Sequence, residues 1–578
     1  MTNTNDLLTS PTPRSKWRKD KFWAFLLLSL NRAFNKDPLP PQGFEFVLKI
    51  NPRKWWWYQH YGFHPQPYGF QTPQEANEHN FQQDGPEKDN DDQLSDSASV
   101  GNRSGIAEQH PSFANERAWD DPDIDHMDEV QSSSATSTPH PVPDSSGGGY
   151  TPPFGWDSGF TECFLNDKSN MNNSQWRPGK RVAIVGGGPG GVSAALGFIS
   201  RGYDVRIYER RSDCKPIGGG VLLATPVLAI LRSYGVNIDT FGLPTTTWFR
   251  NQQGHERAEI PFNHEVEKRM GIKGWHYGML RSGGFAKILE RVPEGVIRPN
   301  HNFIAYKELH EENEVEIEFE GGYTCRTDIL VAADGIRSGV ARQAFGDPQL
   351  FHTGIRVYLA WCDQLPDIPP ACGALYHSKE HQASFFPMLH DGKAGYEWWL
   401  VEPSYDGKPL PSDIEAHVRN ILGTFADPLP RFADATNFDT QVYRWEVYNR
   451  PSLKKWSAGR VVGLGDAVHP VSPYAAYGMG MAIEDGYYLA RSLESVDLRD
   501  IKVVNAGFEI FEGHRVNYVN HNVEFARFLG KFFHNLPYPL AWVRDLVLDY
   551  TPILQWILSK EYIDMAELST ATLRELEV

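Results

Sequence analysis

"RVAIVGGGPGGVSAALGFISRGYDVRIYERR", residues 181–211, runs from a β-branched apolar stretch straight into glycine. The apolar run reads as a buried strand. "PGGVSAALGFISRG" then carries small and apolar residues at helical spacing, and "YDVRIYERR" reads as a second strand. Strand, glycine turn, helix and strand within about thirty residues form the setting a dinucleotide needs. In the turn, Gly186, Gly188 and Gly191 make a G-x-G-x-x-G. One glycine permits the tight turn, one lets backbone approach a pyrophosphate, and one lets the helix pack close to the strand. The helix start adds unpaired N–H groups and a partial positive charge for phosphate. Glu209 ends the second strand 18 residues after Gly191, with Arg210 beside it in the expected cofactor set. A carboxylate there suits both hydroxyls of an adenosine ribose and disfavours a 2′-phosphate, which points to FAD or NAD rather than NADP.

Two later strands deliver an acid to a turn. "GGYTCRTDILVAADG" (321–335) ends in Asp334-Gly335, and "RVVGLGDAVHP" (460–470) contains Gly465-Asp466. Either alone reads as an Asp capping a helix. Together they bring carboxylates to the crevice outside the carboxyl ends of the strands, where such sheets bind ligands. "GIRVYLAWC", "QASFFPML" and "GYEWWLVEP", between residues 354 and 403, are β-rich and predict a separate sheet. The chain is helical from Ala482 on. The expected fold is α/β (α+β): a Rossmann-type FAD-binding domain interleaved with a β-sheet substrate domain over about 240–275 and 350–450. The interleaved unit covers 179–530, and C-terminal helices cover 531–578.

The first 178 residues have another texture. Residues 1–73 form an aromatic-rich extension containing "KWWWYQHYGF", and 74–178 are acidic and rich in Ser, Pro and Gly. Such composition buries too little apolar surface to offset ordering entropy, so a long, largely disordered extension is expected. Between Asp84 and Val130, fourteen Asp or Glu stand against three Lys or Arg, a local −11 of the whole chain's −17. With no basic run in the remainder, nucleic acid is not an expected partner. Five cysteines without C-x-x-C spacing argue against a disulfide framework or metal site and for a reducing, cytoplasmic setting. "FWAFLLLSL" (22–30) follows the basic "RSKWRKDK" but is too short to span a bilayer, leaving a weak membrane contact as the alternative. The apolar C-terminal stretch 536–558 reads as core or dimer packing rather than a membrane helix, because Arg544, Asp545 and Asp549 interrupt it.

The three motifs, in this order, resemble those of the FAD-dependent aromatic hydroxylases, the single-component flavoprotein monooxygenases of the 4-hydroxybenzoate and salicylate hydroxylase type. The likeness covers about residues 180–530. "MLRSGGFAKIL" (279–289) is similar to a family helix that sets Arg281 on FAD, and "GGGVLLATPVLAILRSYGV" (218–236) to a segment that sets Gly219 and Gly220 beside it. The resemblance implies that Asp334, Gly335 and Asp466 hold the cofactor. It implies that Pro473 and the stretch to Gly480 let backbone lie against the isoalloxazine. There the N–H groups near Gly478, Met479 and Gly480 would face the edge that gains negative charge on reduction. It implies NADH or NADPH as a transient cosubstrate, O2, and oxygen transfer from a C4a-hydroperoxyflavin to an electron-rich ring. Ala476 and Tyr477 depart from the family's small residues, and Trp361-Cys362 replaces a Trp-Arg that binds carboxylate in some members.

Catalytic candidates are Pro473, His469, Tyr396 and Arg356. His469 is a base by residue type, with a structural backbone contact as the competing reading. Alternation puts Tyr396 and Trp398 on one face of a strand, either the pocket face or the sheet core. Arg356 is chosen by position alone. Competing functions are an epoxidase or oxidative-rearrangement enzyme on the same scaffold, and a flavin-binding scaffold without oxygenase activity. The expected partner is a small molecule, and a homodimer stays open.

Overall fold

The computed structural model describes residues 176–578 apart from 215–218, 261–263, 275, 370, 476, 565–568 and 574–578. The expectations for residues 1–73, nearly all of 74–178, and Ala476 lie outside the described residues. The apolar run before the glycine turn is the strand Arg181–Val185, buried along its whole length. It pairs in parallel with Asp204–Tyr208 on one side and Ile329–Ala332 on the other. A strand buried on both faces must be apolar throughout, and "RVAIV" is nearly so. Its one charge, the Arg181 guanidinium, lies at the strand's start and pairs with Asp328 and Glu314. Val461–Gly463 continues the sheet beyond Ile329–Ala332, Ile297–Arg298 beyond Asp204–Tyr208, and Ser457–Ala458 closes the far edge antiparallel. The two acid-bearing turns therefore leave neighbouring parallel strands at the same end as the glycine turn. A three-stranded antiparallel sheet, Phe303–Leu309, Glu314–Phe319 and Thr324–Thr327, packs its apolar residues against this one.

The second sheet has nine strands. Its order is Val442–Asn449, Phe351–Asp363, Lys393–Pro403, Gln382–His390, Cys372–His377, Leu243–Asn251, His276–Leu280 and Gly220–Ala224, with Glu256–Ile260 paired to Leu243–Asn251. Helices Ile414–Leu422 and Leu429–Asp434 cover one face of it, where Tyr358, Phe385, Tyr396 and Trp398 pack on Val418, Leu422 and Phe432. On the opposite face Leu359, Trp361, Trp399, Tyr443 and Trp445 stay only half-buried. The C-terminal region is helical, as the sequence predicts. Helix Gly478–Ser492 packs on the helix Pro189–Ile199 that follows the glycine turn, and a 34-residue helix, Ile501–His534, follows it. Asp500 starts the long helix by accepting N–H bonds from Lys502 and Val503.

Candidate active site

Backbone demands explain the glycines. Gly186 has φ +107°, and a Cβ there would come within 2.2 Å of the Ala333 carbonyl oxygen. A Cβ on Gly191 would come within 2.1 Å of the Gly186 oxygen, so the turn and the helix close on each other only without side chains. Gly188 differs: a Cβ there would meet nothing within 4 Å. It caps helix Pro189–Ile199 with no side-chain hydrogen bond and no acid in the first turn. The helix start is thus an uncapped, cationic end facing open space. Glu209 Oε2 accepts the Gly187 N–H at 2.8 Å and Oε1 accepts the Arg211 N–H at 3.0 Å, which fixes the carboxylate at the turn; Arg210 is exposed beside it.

The three turns meet. The Gly186 backbone abuts Ala333 and Asp334, and Gly190 abuts Leu464. Asp334 spends its carboxylate on the next helix, accepting from Ser338 Oγ and, at 2.8 Å, from the Gly339 N–H. Ser338 is the N-cap of that helix, accepting from the Ala341 N–H, and Asp334 braces it, while Gly335, at φ +80°, turns the chain away. Asp466 points outward. Its carboxyl is open to solvent, yet the protein around it pushes its pKa up against the pull of His469, Arg281 and Arg450. Arg281, likewise desolvated and facing Asp466, donates its backbone N–H to Gly219 O at 3.1 Å, which brings the Gly219–Gly220 segment to the same place.

Beneath the Asp466 turn lies a buried ionic cluster without counterpart in the motif spacing. His469 Nε2 contacts Asp485 Oδ2 at 2.5 Å, and the same oxygen accepts the Gly465 N–H at 3.0 Å. Arg515, from the long helix, reaches Asp485 Oδ1 at 2.8 Å and Glu484 Oε2 at 2.9 Å. Burial pushes Asp485 up, but His469 and Arg515 more than reverse this and hold it below the ordinary carboxylate range. The His469 ring also stacks on Trp456, 5.0 Å between centroids. His469 is therefore built into the support of the turn. Tyr477, which replaces a small residue, turns its hydroxyl onto Glu484 Oε1 at 2.5 Å and lays its ring over Gly480, where a Cβ would come within 2.8 Å of it. Gly478, Met479 and Gly480 open the helix that follows, and Pro473 is exposed just before it.

Two candidates need correction. Tyr396 is on the face covered by helices, 5.5 Å from the Phe432 ring, so alternation takes it and Trp398 into the sheet core. Arg356 shares that face; it is fully buried and engaged by Glu446, by Glu402 at 3.2 Å and by the Lys408 carbonyl at 2.8 Å. Neither reaches the open aromatic face.

The residue between Tyr396 and Trp398 does. Glu397 pairs across the sheet with Trp361 and Phe386, on the face opposite the helices. Its carboxyl is buried against the cofactor segment: Oε2 accepts the Gly220 N–H at 2.6 Å, and a Cβ on Gly219 would strike Oε1 at 2.4 Å. Oε1 has no partner among the described residues. Burial raises its pKa to about 8, and only the Gly220 N–H pulls it back. The sequence signal was a lone acid inside "GYEWWL", readable once the face is known. No group of His, Cys, Asp and Glu suited to a metal occurs among the described residues. A surface hollow lined by His264, Glu267, Lys268 and Gly271 to Lys273 shares none of these residues.

Residues 180–498 match the protein family described as FAD binding domain. Among curated proteins, the chain is 27% identical over 351 residues to 6-hydroxynicotinate 3-monooxygenase of Pseudomonas fluorescens, covering 59% of this chain and 89% of that one. It is 29% identical over 332 residues to chloroplastic zeaxanthin epoxidase of Solanum lycopersicum, covering 54% and 48%. Among solved structures, Klebsiella pneumoniae HpxO complexed with FAD and uric acid superposes with a TM-score of 0.58 at 20% identity, covering 68% of this chain and 99% of that one, which bears on the fold.

Proposed function

The chain belongs to the FAD binding domain family and is an FAD-dependent monooxygenase of the aromatic-hydroxylase type, and on that premise we propose that it uses NADH or NADPH and O2 to hydroxylate an electron-rich small aromatic molecule. The observation that carries this reading is the meeting of three turns beside an open aromatic sheet face. The residues suit FAD: a Cβ-free cradle at Gly188, an uncapped helix start, a fixed carboxylate at Glu209, and Asp466 and Arg281 facing each other across a cleft. Bound FAD supplies the activation of O2 that no protein side chain offers.

The chain's own residues bind, orient and exclude water. Gly186 to Gly191 and the following helix start hold the pyrophosphate. Glu209 and its neighbour Arg210 hold the adenosine end. Asp466 would accept hydrogen bonds from the sugar-like chain of the cofactor, while the cluster of His469, Asp485, Glu484 and Arg515 supports its turn. Asp334 and Gly335 shape the turn that Gly186 rests on. Gly219, Gly220 and Arg281, with Pro473, Gly478, Met479 and Gly480, would hold the ring of the cofactor. Leu359, Trp361 and Trp399 offer the substrate a flat apolar face. Trp361 is followed by Cys362, not Arg, and Glu397 lies on the substrate side, which disfavours a benzoate-like carboxylate there.

The similarity to zeaxanthin epoxidase favours epoxidation as the second reading. One experiment addresses both. NADH and NADPH consumption is followed over a panel of phenols, hydroxylated N-heteroarenes and alkenes under 18O2. A single 18O on an aromatic ring supports hydroxylation, and one in an epoxide supports the second reading. Oxidation that no compound stimulates overturns both.

A further inference from the structure

Helix Tyr538–Tyr550 is built inside out. Ala541, Arg544 and Leu548 face the protein, while Tyr538, Leu540, Trp542, Val543, Leu546 and Tyr550 are exposed, from 45% at Leu540 and Leu546 to 80% at Tyr550. At 100° per residue Trp542, Val543, Leu546 and Tyr550 fall within an arc of about 100°, so they form one stripe. The charges are all used elsewhere. Arg544 donates to the Phe533 carbonyl at 2.9 Å and the Ser378 carbonyl at 2.8 Å, and Arg257 pairs with Asp545 at 3.3 Å and Asp549 at 2.7 Å. An ordinary surface helix turns its charges to water and its apolar stripe to the core. A contiguous exposed apolar stripe of this kind marks an interaction surface.

We infer that this helix lies flat in the interface of an anionic lipid surface. Its outward stripe mixes Leu and Val with Trp and Tyr, the residues that settle at headgroup depth because one end is apolar and the other polar. One cation stands at the start of the stripe and another on the helix that follows. Lys379 Nζ donates to Tyr538 Oη at 2.7 Å, and Lys560 Nζ lies 5.7 Å from the ring centre of Trp556 in the next helix, Ile553–Leu558. Ammonium groups flanking an uncharged aromatic stripe complement anionic headgroups. Thirteen residues rise about 20 Å, too short to cross the roughly 30 Å of hydrocarbon, and no described helix is long and apolar enough to do so. The contact is therefore in-plane. The chain also carries "RSKWRKDKFWAFLLLSL", residues 14–30, outside the described residues, with the same pairing of Lys and Arg to an apolar aromatic run.

The test is flotation of the full-length, FAD-loaded protein with phosphatidylcholine vesicles and with phosphatidylcholine vesicles containing phosphatidylserine. The wild type is expected to float with the anionic vesicles. Trp542→Ser with Leu546→Ser should weaken binding about tenfold or more, because apolar area leaves the interface. Lys379→Gln with Lys560→Gln should erase the preference for phosphatidylserine. Trp542 and Leu546 are exposed and Lys379 and Lys560 half-exposed, so flavin absorbance and melting temperature should stay at wild-type values and certify folding. A wild type that stays unbound to both vesicle types overturns the inference. So does a Trp542→Ser, Leu546→Ser variant that floats like the wild type, or a lysine pair whose loss leaves the lipid preference unchanged. Light scattering that shows a wild-type dimer made monomeric by the same serine variant would assign the stripe to a second copy of the chain instead.

Discussion

Glu397 carries a buried carboxyl with one hydrogen bond, and that arrangement has a pH signature. Its pKa is raised to about 8 in the fold, while an unfolded chain leaves a glutamic acid near its ordinary value. Between those two values the folded protein binds the extra proton, so stability falls as pH rises. The contribution is complete below the unfolded pKa and is gone above about pH 8. Glu397→Gln mimics the protonated acid at every pH. Its urea midpoint should therefore lose the downward slope that the wild type shows between about pH 5 and pH 8. Parallel slopes for the two proteins would refute a neutral Glu397. Glu209 offers a separate test. Glu209→Ala removes a carboxylate fixed beside the glycine turn and should weaken FAD binding by about 10- to 100-fold, as loss of charged hydrogen bonds does. Quenching of flavin fluorescence on titration measures it. Residues of this kind divide in how far sequence reveals them. Glu209 was readable because a strand end at a fixed distance from a glycine turn has one geometry. Glu397 was not, because alternation tells which residues share a face and not which face meets the cofactor.

The Gly465–Asp466 turn depends on elements that lie far apart in the chain. Asp485 comes from helix Gly478–Ser492, Arg515 from Ile501–His534, and His469 from the turn itself. No local spacing announces such a cluster, and His469 consequently looked like a base when it is a strut. The same holds for Arg356 and Tyr396, which helices Ile414–Leu422 and Leu429–Asp434 bury; a strand's pattern does not say where later helices will pack. The cluster is a triad of two acids and one guanidinium with histidine as the fourth member. Arg515→Met leaves Glu484 and Asp485 buried without their cation. It should cost about 3–5 kcal/mol, the usual penalty for stripping one partner from a buried ion pair. Chemical denaturation of the flavin-loaded protein measures the loss. Arg499→Ala, whose guanidinium is on the surface and pairs with exposed Asp497, should leave the denaturation midpoint close to that of the wild type in the same assay. Equal losses would show that the cluster is not the support of the turn.

Across the molecule the chain weaves between its two large sheets. It builds the parallel sheet with Arg181–Val185 and Asp204–Tyr208, crosses to Gly220–Ala224 and Leu243–Asn251, and returns with Ile297–Arg298 and Ile329–Ala332. It crosses again for Phe351–Asp363 through Val442–Asn449 and comes back with Val461–Gly463. The sequence made the parallel sheet plain, because a buried parallel strand is a bare apolar run. It gave the second sheet only as β-rich segments, since strand order there is set by long-range pairing. Interleaving has an energetic consequence. Neither sheet is a continuous segment, and contacts such as Arg450, just past Val442–Asn449, donating to the Ala467 carbonyl, just past Val461–Gly463, join them, so neither should melt alone. Near-ultraviolet circular dichroism reports the second sheet, where Trp361, Trp398, Trp399 and Trp445 lie, and flavin fluorescence reports the first. The two signals should trace one transition. FAD at roughly 100 times its Kd should shift both together by about 2.7 kcal/mol, the stabilisation that binding to the folded state alone provides. Two separated transitions, or a shift in the flavin signal without one in the tryptophan signal, would mean that the second sheet folds independently of the cofactor site it faces.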